Sequence, residues 1–344
     1  MDPVLEDHVR DFVPTATLET LRIRAHVLDS VRQHFRDSGY FEVETPLLSR
    51  DTSVDVHLEP YSVPAAPGEG QTTSELFLQT SPEFGMKRLL AAGAQAIFQI
   101  CRVARRGESG RLHNPEFTMI EWYRAGDTYR DQMRFTESLV RSTVAASDDA
   151  TGMSHHLGSA PFAMNSFDEA FARLAGARVL ESSTVELRSL AEQHALSAPD
   201  SLQLDDRDGW LNLLLSHIVE PHLGQSHPEF IYDYPDSQAA LARIRLDQPP
   251  VAERFELYID GIEICNGYDE LTDADELRQR IAQQNQLRLT EGRRALPTDS
   301  RLLDAMDCGL PRCSGVALGF DRLLMLGLRR TTIDDVIAFP ISRA

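Results

Sequence analysis

Two apolar runs, AIFQICRVA at 96–104 and FTMIEWYRA at 117–125, flank the polar segment RRGESGRLHNPE, and this pairing constrains the fold more than any other feature. Both runs read as buried strands, so together they form a hairpin whose long loop is rich in arginine. A second hairpin follows at RFELYIDGIEICNG, where Asp260 and Gly261 are the pair that a tight two-residue turn prefers. A sheet connected mainly by hairpins is antiparallel, and the remaining segments supply helices to cover it, which predicts an α+β fold.

The helices read from periodicity and caps. Leu21, Leu28, Val31 and Phe35 recur at helical spacing, and Gly39 stops that helix before FEVETP, where Phe41 and Val43 alternate with Glu42 and Glu44 as in a strand. A loop is predicted from Pro60 to Thr73, followed by the strand ELFLQT. Ser81 then caps a helix with Pro82 at its first position. A further helix is predicted from Tyr129 to Ala146, then a linker, then three helical stretches between Asn165 and Leu223. The strand EFIYDYP follows, then helices at 273–290 and 300–306, and CSGVALGFDRLLMLGL reads as a strand entering a helix through glycines that admit a ligand to the backbone. These readings predict a single domain over 1–344 with a helical insertion at about 148–228.

A chain of 344 residues with 42% hydrophobic content buries a core without help from disulfides or metals. No run is long enough to span a bilayer, and MDPVLEDHVRDF lacks the basic and apolar stretches of a signal peptide, which predicts a cytoplasmic protein. Cys101, Cys265, Cys308 and Cys313 form no CxxC pair and read as free thiols. A net charge of -19 disfavours extensive nucleic-acid binding, although an acidic surface also serves solubility alone.

Arg105, Arg106 and Arg111 on the hairpin loop, with Arg322 at the start of the last helix, suit planar recognition of phosphates. A solvated charged loop would carry the same residues, and Arg105, directly after a buried strand, is the best placed of the loop three. Glu263 and Glu270 flank ICNGYD beside Asn266 and are the type of residue that holds magnesium against triphosphate oxygens. Taken alone they read equally as surface carboxylates.

TSPEFGMKRLL, CRVARRGESGRLHNPEFTMIEWYR, GIEICNGYDELTDA and CSGVALGFDRL together resemble the catalytic core of class II aminoacyl-tRNA synthetases of the lysine type. FEVETP resembles the first motif of that family, the RRGE to EFTMIEWY hairpin the second, and ALGFDRL the third, so the likeness runs from Leu18 to Ala344. Fewer than twenty residues precede Leu18, where the likeness begins, too few for the oligonucleotide-binding barrel that reads the anticodon. The third motif also carries Ala317 where lysyl-tRNA synthetases usually have glycine. Both features resemble a stand-alone branch of the family that lysylates a protein lysine on elongation factor P.

The resemblance implies an adenylate-forming ligase that uses ATP and magnesium and takes lysine or (R)-β-lysine. Arg105 and Arg322 would meet the phosphates, with Glu108, Asn114, Ile264 and Gly319 around the nucleotide. Glu263 and Glu270 would bind magnesium and share in catalysis. Ser81, Glu83, Tyr123, Asn266 and Ala317 would form the amino-acid pocket, with Glu116 a further candidate that strand alternation explains equally well. In the second motif Gly107 stands where the family usually has glutamate, with Glu108 one residue later. The first motif implies a homodimer. The alternatives are a truncated lysyl-tRNA synthetase-like enzyme, with tRNA disfavoured as acceptor, and a non-catalytic regulatory paralogue, which would be expected to lose Arg105, Arg322, Glu263 or Glu270.

Ordinary structural roles account for the rest. His155 and His156 lie in a linker. His217, His222 and His227 recur every five residues, on no single helix face, so they are not expected to form a metal site. Trp122 points away from Tyr123 into the core.

Overall fold

The computed structural model describes residues 12–65, 75–153 and 157–344. His155, His156 and much of the loop expected between Pro60 and Thr73 lie outside the described residues. The first helix, α1, spans Leu18–Asp37, capped by the Thr17 hydroxyl, which accepts from the Thr20 N–H. It buries Val27, Val31 and Phe35, and the chain turns at Gly39 with φ +81°.

Among the described residues, nine strands form the main sheet. In chain order its members are β1 (Phe41–Glu42), β5 (Ala96–Ala104), β6 (Glu116–Ala125), β7 (Ala163–Ser166), β8 (Glu229–Pro235), β9 (Ile244–Arg245), β10 (Val251–Ile259), β11 (Ile262–Asp269) and β12 (Cys313–Gly319). The strand order is β1-β5-β6-β12-β11-β10-β8-β7, with β9 on β10. The centre is antiparallel, as the hairpins require, and among the described residues parallel pairs occur only where β1 meets β5 and β7 meets β8. The short strands β2 (Leu48–Ser49), β3 (Ser62–Pro64) and β4 (Glu75–Leu78) make a separate three-stranded sheet.

Alternation on β5 and β6 divides two cores. Phe98 and Trp122, which face each other across the pair, pack with Val31, Phe35, Leu318 and Phe320. Ile97 and Tyr123, their neighbours in sequence, face the other way, toward α2 (Glu83–Ala91), α7 (Ala274–Thr290) and α8 (Arg301–Gly309). Trp122 is therefore core, as parity predicts, and its indole N–H donates to Gln132 at 2.7 Å.

The turn Asp260–Gly261 closes the β10–β11 hairpin with both residues at positive φ, +51° and +73°, the geometry of a two-residue turn that follows the strand twist. Several details differ from expectation, the first being that β3 lies within the segment read as a loop from Pro60 to Thr73. FEVETP gives only a two-residue edge strand, and Phe41 is 53% exposed, because an edge strand has one neighbour to pack against. Pro82 is the cap of α2 and not its first residue, although the Ser81 hydroxyl still accepts the Glu83 N–H at 3.0 Å. The helix expected to end at Ala146, α3, runs Tyr129–Thr151 and stops at Gly152 in the left-handed conformation.

Between α3 and β8 come α4 (Phe167–Leu174), α5 (Thr184–Gln193) and α6 (Arg207–Leu214), which enclose a core of their own around Phe171, Leu187 and Leu214. The segment also donates β7 to the main sheet. The last helix, α9, spans Phe320–Gly327.

Candidate active site

A cavity of about 880 Å³ lies on the face of β6, β12, β11 and β10 opposite the Trp122 core. Register explains its floor, since directly opposed residues on neighbouring strands share a face. Glu121, Ala317, Asn266 and Glu256 stand in one row across the four strands, and Tyr123, Gly315, Tyr268 and Arg254 in the next. Gly315 is required by contact, because a Cβ there would lie 2.2 Å from the Tyr123 ring and 2.7 Å from Glu270 Oε1.

One end of the cavity is anionic. Glu121, 1% exposed, accepts hydrogen bonds from the Ser81 hydroxyl at 2.7 Å and the Tyr123 hydroxyl at 2.6 Å. Lys87 Nζ lies 2.5 Å from Glu83 and 2.5 Å from Glu270. Three carboxylates thus cluster about one ammonium, and among the described residues Lys87 is the cation that pairs with them. Burial, reinforced by Glu83, pushes the Glu121 carboxyl up to about 7. Burial also raises Glu270, against the pull of Lys87. A second ammonium entering here would find carboxylates waiting for it. Asn266 Oδ1 is buried without a hydrogen-bond partner in the same row, an acceptor available to a ligand.

The other end carries arginines. Arg105 leaves the end of β5 with its Nε on the Thr80 carbonyl at 3.2 Å and its guanidinium over the Phe117 ring. Arg322, on the first turn of α9, donates to the carbonyls of Glu263 and Leu112 at 2.9 and 3.2 Å. It also lies 2.6 Å from His113 Nε2. A guanidinium only donates, so His113 must offer a lone pair there, and burial together with Arg322 lowers its pKa accordingly. Gly319 precedes the helix with open space beside it, since a Cβ would meet nothing closer than 3.8 Å.

Of the residues singled out from sequence, Ser81, Glu83, Arg105, Glu108, Asn114 and Tyr123 line this cavity, as do Glu263, Ile264, Asn266, Glu270, Ala317, Gly319 and Arg322. Glu108 reaches it because Gly107 takes φ +87°, turning the chain so that the carboxylate comes to 3.7 Å from Arg105. Asn114 is committed within the protein, donating to the Glu116 carbonyl at 2.6 Å and accepting from the Ile341 N–H at 2.8 Å. Glu116 does not line the cavity. It sits at the exposed start of β6 facing Arg102. Arg111 is likewise turned away, onto the Thr331 carbonyl.

The expectation that Glu263 and Glu270 share a magnesium ion is corrected by the geometry. They are seven residues apart along β11 and its continuation, a span of at most about 23 Å at the rise of an extended strand, shortened by the bulge at Ile264. Glu263 lies by Arg322 at 3.5 Å, whereas Glu270 is held by Lys87 at 2.5 Å, at the anionic end. The carboxylate near Glu263 is Glu256, across the hairpin, whose charge helps burial to push Glu263 up to about 7.

Sequence reasoning passed over Lys87, Glu121 and Glu256. Each carried a local signal: Lys87 is one helical turn from Glu83, Glu121 shares a strand face with Tyr123, and Glu256 follows from pairing the hairpin about Asp260–Gly261. All four cysteines are free, and Cys265 and Cys313 are buried. Among the described residues no group of three His, Cys, Asp or Glu is placed to hold a metal ion by itself, and no helix is long and apolar enough to cross a membrane.

Comparison with known proteins agrees with this arrangement. Residues 2–343 match the family of tRNA synthetases class II (D, K and N). The chain is 44% identical over 333 residues to proteins of Salmonella paratyphi A and Salmonella dublin named elongation factor P (R)-beta-lysine ligase, covering 96% of this chain and 98% of each relative. The same identity and coverage hold for the protein of that name from Salmonella heidelberg. With the sheet, the arginine-bearing hairpin and the glycine-led last helix all in place, the chain belongs to the class II tRNA synthetase family of the D, K and N type.

Proposed function

We propose that this protein is an ATP-dependent ligase that activates (R)-β-lysine as its adenylate and transfers it to the ε-amine of a lysine on elongation factor P. The observation that carries this reading is the charge layout of the cavity, with a carboxylate cluster at Glu83, Glu121 and Glu270 that the single ammonium of Lys87 only partly neutralises, opposite the arginine end. Such a cleft orients a molecule with an ammonium at one end and a carboxylate directed at a polyphosphate at the other. The near full-length similarity to proteins named for this activity supports the same reading.

In the first step the substrate carboxylate attacks the α-phosphate of ATP and pyrophosphate leaves. Arg105 and Arg322 would neutralise the phosphates, and Glu121, Glu270 and Tyr123 would fix the far ammonium. In the second step the acceptor amine attacks the acyl carbon, the bond to AMP breaks, and an amide forms with loss of the amine proton. Glu263 and Glu256, carboxylates on adjacent strands, would hold magnesium together with the substrate phosphates, Glu256 being held in place by Arg254, Tyr234, Tyr258 and Asn266. The ion would supply charge neutralisation of the triphosphate.

A homodimer through the first-motif edge is part of the proposal, supported by the exposure of Phe41, Leu47 and Leu48, in and just after that motif, at 53%, 47% and 45%. A cytoplasmic location fits an enzyme acting on the translation machinery. The net charge of -19 disfavours tRNA as acceptor.

The test offers the protein ATP, magnesium and either (R)-β-lysine or α-lysine, with elongation factor P or total tRNA as acceptor. A lysyl-sized mass gain on elongation factor P, with tRNA uncharged, is the expected result. Charged tRNA beside unmodified factor overturns the acceptor, and absence of pyrophosphate release in every mixture overturns the ligase.

A further inference from the structure

We infer that Arg288 is a positioning residue for the nucleotide end of the cleft, acting through segment 55–59. The inference rests on the ATP site proposed above. Residues 51–60 have no regular structure, so their backbone groups lack ladder partners and must be satisfied otherwise. Helix α7 satisfies them with two side chains one turn apart. The Gln284 side-chain carbonyl accepts the Val56 N–H at 2.9 Å. Arg288, 0% exposed, donates from Nη1 to the carbonyls of Asp55 and Leu58 at 2.8 and 3.1 Å. Its Nη2 donates to the Glu59 carboxylate at 2.5 Å, and its Nε to the Arg294 carbonyl at 3.1 Å. Every nitrogen of the fork is used.

The held segment borders the site. Asp55, Val56 and Leu58 line the cavity. The Glu59 carbonyl accepts the Arg106 N–H at 2.7 Å, so the segment is bonded to the backbone beside Arg105. Arg105 is anchored a second time through Thr80. The Arg288 fork is therefore one residue removed from the chain that carries a phosphate-facing arginine, and it sets where that chain lies. Lysine offers a point charge and cannot bridge two carbonyls and a carboxylate in one plane. The amino-acid end rests on α2 and β6, and the hydrogen bonds of Arg288 go instead to Asp55, Leu58, Glu59 and Arg294.

The test compares the full-length protein with Arg288→Lys and Glu59→Ala, measuring the Kd of ATP with magnesium and the Kd of lysine by calorimetry, together with the melting temperature. ATP–pyrophosphate exchange is followed in parallel. Misplacement of the arginine backbone should weaken ATP binding about tenfold or more and slow exchange, with lysine binding unchanged. Unaltered ATP affinity in folded variants overturns the inference, and so does equal weakening of both ligands, which is what general loosening of the fold produces. If Arg288→Lys does not fold, Glu59→Ala decides alone. Wild-type protein that binds ATP but exchanges no pyrophosphate overturns the proposed reaction and leaves the binding comparison intact. Wild-type protein that does not bind ATP overturns both.

Discussion

The Lys87 ammonium lies 2.5 Å from a Glu270 carboxylate oxygen, joining α2 to the end of β11 where neither side chain reaches solvent by more than 2%. The same ammonium serves Glu83 at 2.5 Å, and the two carboxylates hold it protonated against its own burial. Removing it would leave Glu83, Glu121 and Glu270 clustered without a cation. Lys87→Met should therefore destabilise the protein by about 3 to 5 kcal/mol near neutral pH. Urea unfolding at pH 7.5 and pH 5.5 checks this, with a smaller loss expected at the lower pH, where protonation relieves the cluster. Equal stability of variant and wild type at pH 7.5 would show that the cluster is neutral without Lys87.

Gly315 tests whether the pocket floor is as tight as the contacts indicate. A methyl group at this position would sit 2.2 Å from the Tyr123 ring, which is buried and hydrogen-bonded to Glu121 and so has nowhere to move. Gly315→Ala should cost about 1 to 3 kcal/mol of stability through overpacking. It should also raise KM for the amino acid more than KM for ATP, since the strain falls at the ammonium end. A parallel rise in both KM values would contradict the assignment of the two ends.

Local signals carried the fold a long way. Asp260–Gly261 located the hairpin to the residue, and strand parity separated Trp122 from Tyr123. What failed depended on partners distant in sequence. Phe41 and Val43 alternate as a strand should, but only register against β5 reveals that Phe41 lies on an exposed edge. Strand β7 has no strong pattern of its own and exists because β8 offers it an edge. Glu270 was grouped with Glu263 by nearness in sequence, whereas an extended chain carries the two to opposite ends of the cavity. The carboxylate that does sit near Glu263, Glu256, belongs to the other strand of the hairpin.

Ala317 stands between Glu121 and Asn266 in the floor row, so its methyl group faces the cavity, and under the proposed function it would meet the backbone of the bound amino acid. Glycine at this place, as lysyl-tRNA synthetases usually have, leaves room for the α-amino acid. Ala317→Gly should shift the ratio of kcat/KM for (R)-β-lysine over α-lysine toward α-lysine, by an amount worth about 1 to 3 kcal/mol. Exchange assays with each amino acid measure the ratio. No change would place discrimination elsewhere in the pocket.

Glu121 makes the site dependent on pH in two ways with opposite signs. Its carboxyl is raised by burial and by Glu83 from an ordinary 4.5 to about 7. Between those values the folded protein holds a proton that the unfolded chain has released, so this group's contribution to stability is full below about 4.5 and is lost as pH rises through about 7. Glu121→Gln, neutral throughout, should gain stability relative to wild type between pH 5 and pH 8. Binding runs the other way, because an incoming ammonium needs the ionised carboxylate. For wild type, kcat/KM for the amino acid should climb as pH passes about 7, and Glu121→Gln should flatten that rise while lowering its plateau. Chemical denaturation and exchange kinetics over the same pH range check both halves. A pH profile for kcat/KM unaltered by Glu121→Gln would remove Glu121 from ammonium recognition, whatever its effect on stability.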